Sequence, residues 1–420
     1  MTARQAHRRY LILLALRWLP VGLYVPVTVL LPLDRGLSLA EVGAAMSVQG
    51  FVVLGLELPT GGLADSWGRR PVLVLSGALA AASFAVLFVA DSLAAFVVVA
   101  ALQGIHRALD SGPLEAWYVD ATLAANPTTR LERGLSAGAT VLSLGIGLGA
   151  LLAGGLIAWV DVGGVDALVV PIALAFVITV VSVVATVVLL TEPRRARRGA
   201  GVRGVVTAIG GGARLVRRSR VLAALIAVEL FWGFGMVTFE QLMPVRLAAE
   251  TSGTETAAAI MGPAAAVGWL ASAAGAALAP AISARIGVAT TAIVLRLAQG
   301  LAVVGMGLLA GVVGVLTGFL LAYVVHGAAN PMHTTLLHRE VAADNRATVL
   351  SLNSMVAQPA GSVGLIVLLS LSGATSVSTA IVVGAIVLAI AAPLYLPARR
   401  AEQRAREISE DVPSPGVAVP

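Results

Sequence analysis

The chain has 420 residues and neither lysine nor cysteine. The missing cysteine excludes disulfides, thiolate metal sites and cysteine nucleophiles together. Charge is also scarce: 12% of residues are charged, where soluble domains carry about a quarter. That shortage excludes a soluble multidomain protein of this length. All 28 basic residues are arginine and the net charge is +6. The missing lysine reads as codon bias rather than chemistry. A basic chain can bind nucleic acid, but these arginines sit between apolar runs, so orientation in a membrane explains them and no nucleic-acid partner is expected. No nucleotide loop, metal cluster or nucleophile–base pair is present, so neither a cofactor nor an enzymatic activity is expected.

What is abundant is apolar surface: 58% of residues are hydrophobic and the mean hydropathy is +0.93. A membrane-spanning helix needs about 20 apolar residues. Twelve runs of that length can be marked, at about 10–33, 41–63, 71–90, 93–119, 135–160, 167–190, 221–243, 257–282, 288–309, 312–337, 348–371 and 377–396. The basic start before the first run resembles a signal peptide. The run is too long and lacks a small-residue cleavage site, so it reads as a retained first span. Ser38 and Glu41 form a capping box that opens span 2, and Pro113 is expected to bend span 4.

Residues 191–220 hold nine arginines and one acid, which makes them a basic linker between two halves. The expected organisation is a six-helix bundle over 1–190, the linker over 191–220, a second bundle over 221–398 and a disordered tail over 399–420. The first tail, the even-numbered loops and the last tail carry nearly all loop arginines; the opposite loops hold little more than Arg35 and Arg246. By the positive-inside rule both termini are cytoplasmic, in a multi-pass protein of the cell membrane. A weak internal repeat is visible. Arg133-Gly134-Leu135-Ser136 enters span 5 as Arg346-Ala347-Thr348-Val349-Leu350-Ser351 enters span 11, and loop 281–287 stands where 62–68 stands in the first half.

The loop between spans 2 and 3 reads Gly61-Gly62-Leu63-Ala64-Asp65-Ser66-Trp67-Gly68-Arg69-Arg70. Its glycines suit a tight turn. The pattern Gly-x-Leu-Ala-Asp-x-x-Gly-Arg-Arg resembles the loop between helices 2 and 3 of the major facilitator superfamily, with Ser66 where that family usually has a basic residue. The resemblance implies an all-α integral membrane fold of 12 transmembrane helices in two pseudo-symmetric six-helix bundles. It also implies a cytoplasmic gate built from Gly61, Asp65, Gly68, Arg69, Arg70, Asp120 and Arg346. Asp65 would meet the helix starting near Arg346, and Arg69 would pair with Asp120. A carboxylate at a helix N-terminus gains about 0.3–1 kcal/mol, so closure of the cytoplasmic side would be favoured while those contacts last.

Charges inside a bilayer are costly and normally face a cavity or a partner. Here spans 3, 6 and 12 have none, and span 9 has only Arg296, placed for its long side chain to reach the interface. Span 2 carries Glu57 near its end, and spans 1, 4, 7 and 10 carry Arg17, the span 4 cluster, Glu229 and Glu240, and His326 and His333. In span 10, Tyr323, His326, Asn330 and His333 recur at three- and four-residue steps on one stripe. In span 7, Glu229 and Glu240 are about three turns apart on one face, ~16 Å. In span 4, Arg107 can pair with Asp110, His106 lies one turn from Asp110, and Trp117 lies two turns beyond.

Desolvation disfavours the charged form of a carboxylate, so a buried acid can load a proton on one side and release it on the other. The candidates are Asp110, Glu115 and Glu229, with Arg17 as counter-charge. Arg107, Trp117, Trp232, Glu240, Tyr323, His326, Asn330 and His333 are candidate lining of the substrate cavity; the bland alternatives are a structural Arg107–Asp110 pair and packed aromatic rings. Glu57 reads as an anchor of the span 2 end.

Span 5 resembles the signature of the drug:proton antiporter branch at Gly145, Gly149 and Gly154, with Ala150 and Ala153 where the branch has proline and glycine. Glu57-Leu58-Pro59-Thr60-Gly61 is similar to exporter-like members. The resulting expectation is a monomeric, proton-coupled exporter of small hydrophobic or cationic compounds. The alternatives are proton-coupled transport of a specific polar metabolite and, from another class, a membrane enzyme or scaffold.

Overall fold

The computed structural model describes residues 1–161, 163–191, 214–341 and 346–410; within these, the side chains of 58, 59, 61, 62, 64–66, 346–348, 350, 351, 405, 406 and 408–410 are outside the description. Twelve helices are long and apolar enough to cross a membrane. They are α1 Ala3–Asp34, α2 Leu39–Trp67, α3 Arg69–Val89, α4 Leu93–Ala125, α5 Leu131–Trp159, α6 Ala167–Leu189, α7 Arg220–Ala249, α8 Thr254–Ile286, α9 Val288–Leu308, α10 Gly311–Arg339, α11 Arg346–Ala374 and α12 Val377–Arg404. No strand occurs among the described residues.

The contacts obey a repeat. α1 packs on α5 and α6, α2 on α4, and α3 on α4 and α6; α7 packs on α11 and α12, α8 on α10, and α9 on α10 and α12. The halves join along two equivalent seams, α2 with α11 and α5 with α8. Glycine makes the second seam possible. A Cβ at Gly154 would sit 2.6 Å from the Ala259 carbonyl oxygen, and one at Gly262 would sit 2.7 Å from the Gly154 Cα. Close approach of this kind lets dispersion hold helices together where lipid removes the hydrophobic drive. Along the first seam, the Ser362 hydroxyl donates to the Ser47 carbonyl at 2.8 Å.

The buried core is asymmetric along the membrane normal. At the end opposite the termini it is continuous across both halves, with Leu23, Val42 and Ala153 against Val245, Ala257 and Leu368. There the Thr254 hydroxyl also donates to Asp34 at 2.7 Å. Toward the termini the core divides into a first-half cluster, including Tyr10, Leu73 and Trp117, and a second-half cluster, including Leu222, Ala289 and Tyr395. The two halves are therefore sealed together at the far end.

Local chemistry explains the breaks. The capping box at Ser38 and Glu41 starts α2. α4 is interrupted at Ser111–Gly112, where Gly112 has φ +93° and Pro113 opens the second segment; proline at a first helical turn loses no bond. α7 widens into a π turn over Thr238–Leu242. Pro244 follows, and its ring crowds the carbonyl four residues back, at Glu240.

Three expectations change. The loop between α2 and α3 is a single residue: α2 runs through Gly61 and Gly62 to Trp67, and only Gly68, at φ +95°, turns the chain. Gly287 repeats this between α8 and α9 at φ +85°. The first helix begins at Ala3, because Thr2 and Gln5 form a capping box in what reads as a basic tail. The last helix continues to Glu410, so order extends past Arg399. The basic linker expected over 191–220 falls largely on 192–213, outside the described residues.

The two arginines of the far loops have equivalent jobs. Arg35 donates to the Leu87, Phe88 and Ala90 carbonyls at the end of α3. Arg246 donates to the Leu309 carbonyl just past the end of α9 and pairs with Glu250 at 2.7 Å. Each places a cation on a helix C-terminus, worth about 0.3–1 kcal/mol.

Candidate functional site

α1, α4, α7 and α10 carry most of the ionisable groups within the spans, with Glu57 in α2 and Arg296 in α9, and two pairs form between these helices. In the first half Asp110 of α4 is ion-paired with Arg17 of α1. Asp110 therefore takes its partner from across the bundle, not from Arg107 on its own helix. Arg107 stands on the exposed side of α4, in electrostatic contact with Glu57 of α2. Glu115 is exposed in the first turn of the second α4 segment. His106 turns away from the others and meets α3, its Nδ1 2.8 Å from the Ser76 hydroxyl.

The second half is organised differently. Glu229 of α7 lies 3.0 Å from His333 Nε2 of α10, and both are buried. The other His333 nitrogen is 3.0 Å from the Tyr395 hydroxyl of α12, and Asn353 of α11 is 3.3 Å from Nε2. Tyr395 is also in electrostatic contact with Arg296 of α9. Arg296 is 1% exposed and donates to Gln299 at 2.9 Å. The expectation that Arg296 reaches an interface is thus corrected: its guanidinium is buried in the bundle, where Gln299 supplies an acceptor and Tyr395 lies near. Side chains from α7, α9, α10, α11 and α12 meet in this one network.

About three turns further along the same α7–α10 wall, the Tyr323 hydroxyl donates to Glu240 at 2.6 Å. Around this bond Trp232 stacks on His326 at 5.8 Å, and Phe239 stands edge-on to Tyr323 at 5.8 Å. The antiparallel course of α7 and α10 explains the register: Glu229 meets His333 near the termini end, and Glu240 meets Tyr323 near the far end. Asn330 is exposed, and only a 3.5 Å contact joins it to His326.

Trp117 is corrected from cavity lining to packing. It is 2% exposed among Tyr10, Leu13 and Tyr118, and its indole N–H donates to the Thr191 carbonyl. At the termini end Arg69 pairs with Asp120 at 2.8 Å, as the motif implied. Both belong to the first half, so this pair does not depend on closure between halves. Arg70 donates to the Val187 carbonyl near the end of α6. The side chains of Asp65 and Arg346 lie outside the described residues.

Tyr395, Asn353 and Gln299 escape a sequence reading. Tyr395 sits at the far edge of an otherwise uncharged span, and Asn353 has no polar neighbour at helical spacing. Gln299, three residues after Arg296, was the one available signal. Among the described residues no group of His, Asp and Glu could hold a metal ion.

Comparison with known proteins agrees with this architecture. The nucleoside transporter NupG superposes with a TM-score of 0.75 at 14% identity, over 93% of this chain and 98% of that one. A bacterial homologue of the human lysosomal transporter Spinster, inward-facing and unoccupied, gives 0.72 at 14% identity over 99% of both chains. The human organic anion transporter MFSD10 gives 0.60 at 18% identity, over 94% of this chain and 100% of that one. No curated protein sequence matches the chain. The family profile of the Major Facilitator Superfamily matches residues 10–365. With that match over most of its length, twelve spanning helices and two equivalent seams, the chain belongs to the Major Facilitator Superfamily.

Proposed function

We propose that the chain is a monomeric, proton-coupled exporter of small hydrophobic or cationic compounds. The coarser statement follows from the family: it is a membrane transporter working by alternating access, not an enzyme. The observation that carries the finer reading is the buried Glu229–His333 pair on the α7–α10 wall. A carboxylate and an imidazole are both groups that can carry or lose a proton, so one can be taken up or released there without stranding a permanent charge in the bundle. Asp110 is neutralised by a guanidinium, which does not deprotonate in proteins. That favours Glu229 over Asp110 and Glu115 as the coupling carboxylate, with Arg17–Asp110 as the ion pair that fixes α1 against α4.

With the arginine-rich loops in the cytoplasm, the sealed far end faces outward and the protein stands inward-open in the cell membrane. Residues 1–190 and 221–398 then move as the two bodies, linked by 191–220. In the opposite state Asp65 reaches the N-terminus of α11 near Arg346, and the Asp34–Thr254 bond breaks. Asp65→Asn is expected to shift the resting population further toward inward-open, read by accessibility of introduced cysteines from both faces.

The test is proton flux in proteoliposomes under an imposed pH gradient, with lipophilic cations in one panel and sugars, nucleosides and amino acids in another. Proton movement opposite to a hydrophobic compound is the expected result. The second reading, proton-coupled transport of one polar metabolite, is favoured by the hydrogen-bonding side chains Asn353 and His333 and by the likeness to a nucleoside transporter. Proton movement alongside a single polar compound would establish it and end the export reading.

A further inference from the structure

The far half of the α7–α10 wall holds a group of rings that the proton-site reading does not use. Phe239 and Phe319 are fully buried and form its floor, with Tyr323 at 5% exposure between them. Phe319 and Tyr323 are 4.7 Å apart, centre to centre. Trp232, His326 and, from α8, Trp269 are half-buried and form the rim. Glu240 is half-buried beside them, with one carboxylate oxygen taken by the Tyr323 hydroxyl. Two polar atoms at the rim are buried and have no hydrogen-bond partner: the Trp232 indole Nε1 and His326 Nδ1. Buried donors are normally satisfied. An orphaned pair in stacked rings beside a carboxylate therefore marks a place where a ligand supplies the missing partner.

From this geometry we infer that the box formed by Trp232, Phe239, Trp269, Tyr323 and His326 with Glu240 is the substrate site, and that its ligand is a compact organic monocation bearing a hydrogen-bond acceptor. Ring faces attract a cation through their quadrupoles, the carboxylate neutralises it, and the indole N–H requires an acceptor. Glu240 is the middle residue of the π turn at Thr238–Leu242, a widening of the helix that occurs mostly as single turns at functional sites. The inference rests on the transporter reading above and narrows its substrate class.

The test uses the full chain in lipid nanodiscs and three probes: an aryl ketone carrying a trimethylammonium group, its neutral tert-butyl isostere and its sulfonate analogue. Calorimetry is expected to show the cation binding about tenfold or more tighter than the isostere. Glu240→Gln should erase that preference. Trp232→Phe should keep it while weakening all ketone probes alike, because the ring stays and the N–H is lost. Arg35→Gln, on a loop remote from the box, should leave the preference unchanged and serves as the control for variant protein. Equal affinity for cation and isostere in the unmodified protein would overturn the inference, as would a preference untouched by Glu240→Gln. If proteoliposomes instead move the neutral or sulfonate probe against protons, the substrate class is wrong and the export reading stands. If no probe moves and a polar metabolite does, the export reading fails with it.

Discussion

The two halves of this transporter share a helix plan and oppose each other in chemistry. Arg17 lies 18 residues before Arg35, and Glu229 lies 17 before Arg246. Since Arg35 and Arg246 cap equivalent helices, Arg17 and Glu229 occupy nearly equivalent places on the first helix of each half. Each reaches to the fourth helix of its own half, Arg17 to Asp110 and Glu229 to His333. The sign is reversed: a cation faces an acid in the first half, and an acid faces an imidazole in the second. An arginine–carboxylate pair is locked in one charge state. In a carboxylate–imidazole pair neither charge is permanent. The repeat thus carries an arginine–carboxylate clasp in one half and a carboxylate–imidazole clasp in the other, on the same scaffold.

The break in the fourth helix follows the same division. α4 is interrupted at Gly112 and restarts at Pro113, whereas α10 passes through Pro331 without interruption. At the termini end, the first half joins α3 to α4 through Arg69 and Asp120. The second half has Arg339 at the end of α10 and lacks an acid at the start of α9. Glu402, in the last segment of α12, fills that role: it accepts from the Val288 and Ala289 amides and from Arg339 at 3.1–3.2 Å.

The largest expected effect breaks the Glu229–His333 clasp. Glu229→Gln keeps a hydrogen-bonding side chain of the same shape, so the bundle should assemble. Gradient-driven transport should fall by tenfold or more, while exchange of substrate without a gradient continues; ~10²-fold is the usual scale for losing a positioned proton carrier. Equal losses in both assays would mean that Glu229 serves binding instead. Next is the permanent clasp. Asp110→Asn leaves a guanidinium unpaired and should destabilise by about 3–5 kcal/mol, seen as a lower melting temperature in detergent. Removing both charges, with Arg17→Leu and Asp110→Leu, should restore most of it. If the double variant melts as early as the single one, the pair is not simply a clasp.

A seam variant comes third. Gly262→Val places a branched side chain against Gly154 and Ala150, where a single Cβ already collides with backbone. It should prop the far end open and raise labelling of cysteines introduced beside Asp34, with transport reduced. The smallest effects belong to the helix caps. Glu402→Gln should cost about 1 kcal/mol, and Arg35→Gln or Arg246→Gln about 0.3–1 kcal/mol each. If the two arginine variants differ widely in thermal stability, their equivalence across the repeat is geometric only.

Much of this was readable in residue order. Twelve apolar runs, a glycine turn before Arg69 and the concentration of charge in spans 1, 4, 7 and 10 follow from local pattern and the cost of charge in lipid; the Arg69–Asp120 pair came from the resemblance of the loop motif. The stripe through Tyr323, His326 and His333 was visible because a helix repeats every 3.6 residues. What residue order could not supply was partner choice. Asp110 had Arg107 at i,i+3 and Arg17 some 90 residues away, and only packing of α1 on α4 decided between them. Trp117 looked like cavity lining on a helical face, yet that face met Tyr10 and Tyr118. Arg296 was placed by its depth in the span, but the end of α12 brought Tyr395 over it.

Residue order is enough to make this a twelve-span membrane transporter with a repeated half, because span length, charge scarcity and loop motif are properties of contiguous residues. Helix packing selected which of its charges meet: Arg17 with Asp110 in one half and Glu229 with His333 in the other. It also set the end at which the halves are sealed. Those outcomes depend on contacts between helices distant in the chain, and a bilayer that penalises every unpaired charge leaves the choice of partner to packing.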